Sequence, residues 1–243
     1  MKAKRKVLEN PIFCALDTSD LRQAIEWGEL IKPNIGGIKL GLEFFSSNGP
    51  SGVANLYNSL ELPVFLDLKF HDIPNTVSKA IEQVLPLNPF MLNVHASGGL
   101  AMMKTAAETV YNFSEKYNLD KTYVLGVTLL TSLDDKDLND FGLSIKSEDY
   151  VVNLALMAQE AGLDGVVCSP FEIEKIRSKC GDDFIILTPG VRPLQSNKFD
   201  QKRILDPKTA LNNGADYLVI GRPITGSKDI EEASKNILEE ILN

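Results

Sequence analysis

Ten residues, Asp67-Leu68-Lys69-Phe70-His71-Asp72-Ile73-Pro74-Asn75-Thr76, hold an ammonium between two carboxylates. An apolar run, Val64 to Asp67, leads in as a strand, and a helix-like run from Val77 to Leu85 leads out. Asp67 and Lys69, two apart, share a face of an extended strand. Two like charges about 4 Å apart repel by roughly 4 kcal/mol at an effective dielectric near 20. Two aspartates and a lysine are therefore costly to hold together unless the arrangement is used. One use is electrostatic stabilisation and proton transfer at an active site. The other reading is a surface ion-pair cluster at a loop, but charge clusters at strand ends of α/β proteins concentrate at active sites.

Two further stretches suit an oxyanion. Arg192 lies in Thr188-Pro-Gly-Val-Arg192-Pro, and Arg222 in Val219-Ile-Gly221-Arg222-Pro. Gly221 lets backbone N–H groups approach a phosphate, and either arginine can grip it bidentately. The same arginines could instead only cap their loops. The polar stretch from Arg192 to Lys208 is longer than most strand-to-helix connections, as expected of a lid.

Such side chains need elements to position them. The chain alternates short apolar runs with amphipathic ones. The strand candidates are Ile12 to Asp17, Gly37 to Leu40, Val64 to Asp67, Phe90 to His95, Thr122 to Thr128, Gly165 to Cys168, Phe184 to Thr188 and Tyr217 to Ile220. Runs apolar on both faces are what buried parallel strands require. Between them lie helical segments such as Leu21 to Ile31, Val151 to Ala161 and Ile230 to Leu242. Eight such units predict a single-domain α/β fold, the (β/α)8 or TIM barrel, over residues 11–243, behind a basic tail over residues 1–10. A doubly wound open sheet is the competitor, but no Gly-x-Gly-x-x-Gly turn follows the first strand. In a barrel, functional polar residues belong at strand C-termini. Asp17, Lys39, Asp67, Lys69, Asn93, His95, Thr131, Arg192, Gly221 and Arg222 all fall there.

With 243 residues, 44% hydrophobic and 24% charged, the chain has the composition of a globular protein with a sizeable core. Its net charge of −8 gives no bulk attraction for nucleic acid or an anionic membrane, so an anionic substrate needs a local basic site. No apolar stretch approaches the ~20 residues of a membrane span. Lys2, Lys4, Arg5 and Lys6 are followed by no apolar region, so a signal peptide is not expected. Cys14, Cys168 and Cys180 lack paired spacing, which argues against disulfides and zinc and fits a reduced, cytoplasmic setting. Neither His71 nor His95 has metal-ligand spacing, and both read as structural.

The motif Asp-x-Lys-x-x-Asp is shared by decarboxylases and aldolases of the ribulose-phosphate-binding barrel superfamily. The longer run, with His71, Ile73, Pro74, Asn75 and Thr76 present, resembles the bacterial orotidine 5′-phosphate decarboxylase family. That resemblance extends from Asp17 to Arg222 and implies decarboxylation of orotidine 5′-phosphate to uridine 5′-phosphate in pyrimidine biosynthesis, without metal or cofactor. It implies a charged array of Lys39, Asp67, Lys69 and Asp72, with Lys69 protonating C6 and Asp67 near the substrate carboxylate. Asp17 and Lys39 match the residues at the ribose hydroxyls, although Asp17 is equally plausible as an N-cap for the helix near Leu21. Leu68, Phe70, His71, Pro74 and Asn75 fall among the substrate-binding positions of the run. Thr131 matches a substrate contact, Gln201 a glutamine that reaches the phosphate from a mobile loop, and Arg192, Gly221 and Arg222 the phosphate loops. The family is homodimeric, with Asp72, Ile73 and Thr76 completing the neighbour's site. Rival readings are a magnesium-dependent 3-keto-gulonate-phosphate decarboxylase or hexulose-phosphate synthase, and a catalytically silent phosphate-binding barrel.

Overall fold

The apolar runs of the sequence become eight strands that close on themselves. In this computed structural model, which describes residues 8–192 and 205–243, the strands are β1 (Ile12–Ala15), β2 (Gly37–Leu40), β3 (Val64–Phe70), β4 (Met91–His95), β5 (Tyr123–Val127), β6 (Gly165–Val167), β7 (Ile185–Pro189) and β8 (Tyr217–Ile220). Each pairs in parallel with its sequence neighbours, and β8 returns to β1. Helices α1 (Leu21–Ile31), α2 (Leu42–Leu60), α3 (Pro74–Val84), α4 (Leu100–Tyr117), α5 (Asp135–Asp140), α6 (Ser147–Glu160), α7 (Ile173–Cys180), α8 (Pro207–Asn212), α9 (Arg222–Thr225) and α10 (Ile230–Leu242) fill the connections. This is the (β/α)8 barrel that the alternation predicts. The basic residues Lys2, Lys4, Arg5 and Lys6, and Gln201 with most of the expected lid, lie outside the described residues.

Local chemistry sets the element ends. Asp20 caps α1 by accepting from the backbone N–H groups of Arg22 and Gln23, at 2.8 and 3.3 Å, which settles the alternative for Asp17: it is not the cap. Pro74 opens α3 in its first turn, where its missing N–H costs nothing. Helix α2 breaks at Gly49, whose φ of 61° suits only glycine, before Pro50. Two expected boundaries shift. Strand β3 runs on to Phe70 rather than ending at Asp67, and α6 begins at Ser147 rather than Val151.

The fold has two apolar layers. Strand residues facing out, such as Cys14, Ile38, Leu66, Leu92 and Ile186, pack under the helices in the larger core. Residues facing in, among them Phe13, Phe65, Met91, Leu125, Leu187 and Tyr217, fill the barrel interior. At its lower end Phe13 meets Tyr217 edge to face, with ring centroids 5.5 Å apart. Gly37 makes room for that ring, since a Cβ there would lie 2.4 Å from Phe13 Cε1. Each fully buried Leu, Ile or Phe side chain contributes about 1.5–3 kcal/mol of transfer free energy, so the two layers dominate stability. Cys14, Cys168 and Cys180 are unpaired and buried, as small core residues. Among the described residues no helix is long and apolar enough to cross a membrane.

Candidate active site

The alternation that fills the interior also builds the site. Lys39, Asp67 and Asn93 each sit two residues beyond an interior position (Gly37, Phe65 and Met91), so they point inward one layer nearer the C-terminal rim. All three are buried, Asn93 completely. A row of charge results. Lys39 Nζ lies 2.9 Å from Asp17 Oδ1 and 3.5 Å from Asp67 Oδ2, and Lys69 Nζ lies 2.7 Å from Asp67 Oδ1. Signs alternate along it, so each ammonium lowers the cost of burying the carboxylate beside it. Asp17, beyond the end of β1, is the solvent-facing end of the row, with 54% of its side chain exposed. Gly41 admits the Lys39 ammonium, because a Cβ at that position would come within 2.9 Å of Nζ.

Lys69 reaches Asp67 through a break in the regular strand. The pairing of β3 with β4 slips between Leu66 and Phe70, and Lys69 adopts φ of 50°, in the left-handed region. A lysine there is strained, and such strain collects at functional sites. The Asn93 side chain holds the slip. Its Oδ1 accepts from the Lys69 backbone N–H at 2.7 Å, and its Nδ2 donates to Asp67 Oδ1 at 2.7 Å. Burial pushes the Asp67 carboxyl up, but Lys39 and Lys69, with the hydrogen bonds from Lys69 and Asn93, outweigh burial and hold it below its ordinary value.

His95 ends β4 beside this row, its ring centroid 5.2 Å from that of His71. Burial, His71 and Lys69 lower its pKa against the opposing pull of Asp67, so the imidazole is neutral at neutral pH. Both histidines border a cavity of about 240 Å³ with Thr128, Leu129 and Tyr150. Among the described residues no three His, Cys, Asp or Glu side chains group as a metal ion would require.

Not every expected residue joins the row. Asp72 lies in the exposed loop between β3 and α3, where its Oδ1 accepts from the Ile73 N–H at 2.7 Å. Among the described residues it forms no ion pair with Lys69. Ile73, Asn75 and Thr76 are exposed beside it, with Ile73 at 67%. Leu68 is buried and Phe70 half-buried. Thr131 is half-buried in the loop after β5. On the phosphate side, Gly221 borders the row, its would-be Cβ 3.9 Å from Asp17 Oδ2, and the exposed Arg222 opens α9. Arg192 is buried, and its N–H donates to Leu205 O at 3.0 Å beside a Val191–Leu205 bridge. Asn93 is the residue whose part the sequence did not disclose: its strand-end position was visible, its two partners were not.

Over residues 10–237 the chain matches the model of the orotidine 5′-phosphate decarboxylase / HUMPS family. The chain belongs to this family. A Rhodospirillum rubrum relative named orotidine 5′-phosphate decarboxylase is 48% identical over 98% of this chain and 96% of its own. A relative of the same name from Ehrlichia canis is 47% identical over 96% and 98%. Among solved structures, the orotidine 5′-phosphate decarboxylase of Lactobacillus acidophilus superposes with a TM-score of 0.81 at 32% identity, covering 97% of this chain and all of that one. An uncharacterised conserved protein of Geobacillus kaustophilus reaches 0.82 at 32% identity, covering 95% of this chain and all of its own. Family membership bears out the resemblance read from Asp67 to Thr76.

Proposed function

We propose that this protein is a carboxy-lyase that decarboxylates orotidine 5′-phosphate to uridine 5′-phosphate, a step of pyrimidine biosynthesis. The observation that carries the reading is the unbroken row Asp17–Lys39–Asp67–Lys69, held by contacts of 2.7–3.5 Å at the C-terminal rim of a family barrel. Near-full-length relatives bearing that enzyme name support it.

The chemistry suits the row. Cleaving the bond between C6 and the carboxyl carbon leaves the electron pair on C6, in the ring plane, where the π-system cannot take it. An ammonium fixed beside C6 stabilises that charge as it develops and then supplies the proton. Lys69 is the group in this role: CO2 departs, the C6–H bond forms, and the neutral amine regains a proton from solvent. Asp67 anchors the ammonium and faces the departing carboxylate. Asp17, at the solvent-facing end of the row, and the buried Lys39 beside it bind the ribose hydroxyls. Gly221 and Arg222, with Arg192 and Gln201, receive the phosphate dianion, and Thr131 contacts the base. Asp72, Ile73 and Thr76, exposed on one loop, complete the site of a second subunit in a two-fold dimer.

The test is loss of orotidine 5′-phosphate absorbance with purified protein in a chelator. Turnover supports the reading. Activity that appears only with magnesium, on a keto-gulonate or hexulose phosphate, transfers the chain to the rival branch of the family.

A further inference from the structure

We infer that Asn93 is a positioning residue of the reaction: its side-chain amide ties the strained Lys69 backbone to the Asp67 carboxylate and so fixes where the Lys69 ammonium stands. This rests on the decarboxylase reading for its kinetic consequence, though the geometry stands without it.

A backbone N–H only donates, so the Asn93 atom 2.7 Å from Lys69 N is the carbonyl oxygen. The NH2 group must then face Asp67, where Oδ1 accepts it at 2.7 Å. That oxygen also accepts from Lys69 Nζ at 2.7 Å. Three hydrogen bonds thus close a ring through Asp67, Asn93 and Lys69.

Each bond has a reason. The slip between Leu66 and Phe70 takes the Lys69 N–H out of the regular ladder, and the Asn93 oxygen stands in for a strand carbonyl. Without it the left-handed turn at Lys69, φ 50°, loses the contact that holds it. The NH2 group cannot accept, so it favours Asp67 as the carboxylate. It also leaves Asp67 Oδ2 to Lys39 at 3.5 Å. Asn93 is fully buried, so no water replaces it without rearrangement. A leucine or valine, the usual interior residue, meets neither need.

Two substitutions separate the contacts. Asn93→Ser is too short to span both partners. Asn93→Asp keeps the shape and the acceptor for Lys69 N–H but sets an oxygen against Asp67. A displacement near 1 Å costs about 100-fold in rate, so kcat should fall about 10- to 100-fold in Asn93→Ser, with uridine 5′-phosphate affinity changed only a few-fold. The groups facing the Asp67 carboxylate are Lys39 from β2, Lys69 from β3 and His95 from β4, with Asp17 beyond Lys39. All remain in both variants. Loss of one hydrogen bond to the charged carboxylate should raise its titration by about one unit in Asn93→Ser, and further in Asn93→Asp.

The Asp67 carboxyl is followed by carbon-13 NMR in the free protein, and the acid limb of kcat by assay. An upward shift of the carboxyl titration in both variants, with kcat reduced at near-constant nucleotide affinity, supports the inference. An unmoved carboxyl titration overturns it, whatever Asn93→Ser does to stability, because a purely structural asparagine would change melting temperature alone. Should Asn93→Ser not fold, the isosteric Asn93→Asp decides by the same two readouts. Failure of the wild type to consume orotidine 5′-phosphate would count against the decarboxylase reading and leave the NMR titration to judge Asn93.

Discussion

Lys69 is the residue on which most depends, and its geometry makes the sharpest forecast. Its ammonium touches Asp67 Oδ1 and is only partly exposed, so in the proposed reaction Lys69→Ala removes both the proton donor and the electrostatic partner of C6. Acid–base help alone is worth about 10²–10⁴-fold and electrostatic stabilisation adds to it. A loss of kcat beyond about 10³-fold, with uridine 5′-phosphate still bound, is the expected result of steady-state assay and titration calorimetry. Asp67 adds a pH dependence of stability. Its carboxyl titrates below the ordinary range in the folded protein. Its contribution is therefore complete above the ordinary carboxylate pKa and is lost as pH falls from there through the depressed folded value. Denaturant unfolding at a series of acid pH values should show this loss in the wild type and a shallower slope in Asp67→Asn. The placement of Asp67, Lys69 and Lys39 at neighbouring strand ends was legible from residue types and the apolar runs before them. The part of Asn93 was not, because a lone asparagine in an apolar strand does not reveal what lies across the ladder.

Among the elements, the strands were the most legible, because buried parallel strands leave near-continuous apolar runs. Helices α1 and α10 end where their amphipathic periods end. The slip in β3 was invisible: Leu66-Asp67-Leu68-Lys69-Phe70 alternates as a regular strand would, and the Asn93 contact made at the slip lies across the ladder, out of reach of local sequence. The cap of α1 is Asp20 rather than Asp17 because the helix begins at Leu21, and Asp17, four residues earlier, pairs with Lys39 instead. Far from the rim, α7 is tied to the N-terminal side of β7 and β8 through Arg177. Its guanidinium donates to the carbonyls of Gly181, Phe184 and Gly214 at 2.7 Å each, and to Asp216 at 2.8 Å. Asp216 in turn accepts from the Ile186 N–H at 2.7 Å. Arg177→Ala leaves a partly buried carboxylate and several carbonyls without this donor and should destabilise by about 2–5 kcal/mol, read by denaturant melts. The kcat of the folded fraction should not change, since Arg177 lies at the barrel's opposite end.

On the scale of the whole molecule, Asp72 separates a site made within one chain from one shared by two. In the single chain it is exposed and turned to its own Ile73 N–H. We propose that it completes a neighbour's row, which predicts complementation. Lys69→Ala and Asp72→Ala proteins, each nearly inactive, should recover about a quarter of native activity after random subunit exchange, because half the dimers are mixed and half their sites intact. No recovery after demonstrated exchange would place Asp72 in its own subunit's site.

The most direct measurement of the central claim is turnover of orotidine 5′-phosphate by the purified protein in a chelator, beside Lys69→Ala. In the proposed mechanism the row of fixed ammonium groups supplies the electrostatic stabilisation, so the wild type should consume substrate with one CO2 released per uridine 5′-phosphate formed, and Lys69→Ala should be slower by about 10³-fold or more. Equal rates for the two proteins, or a wild type that is inert until magnesium is restored, would contradict the account.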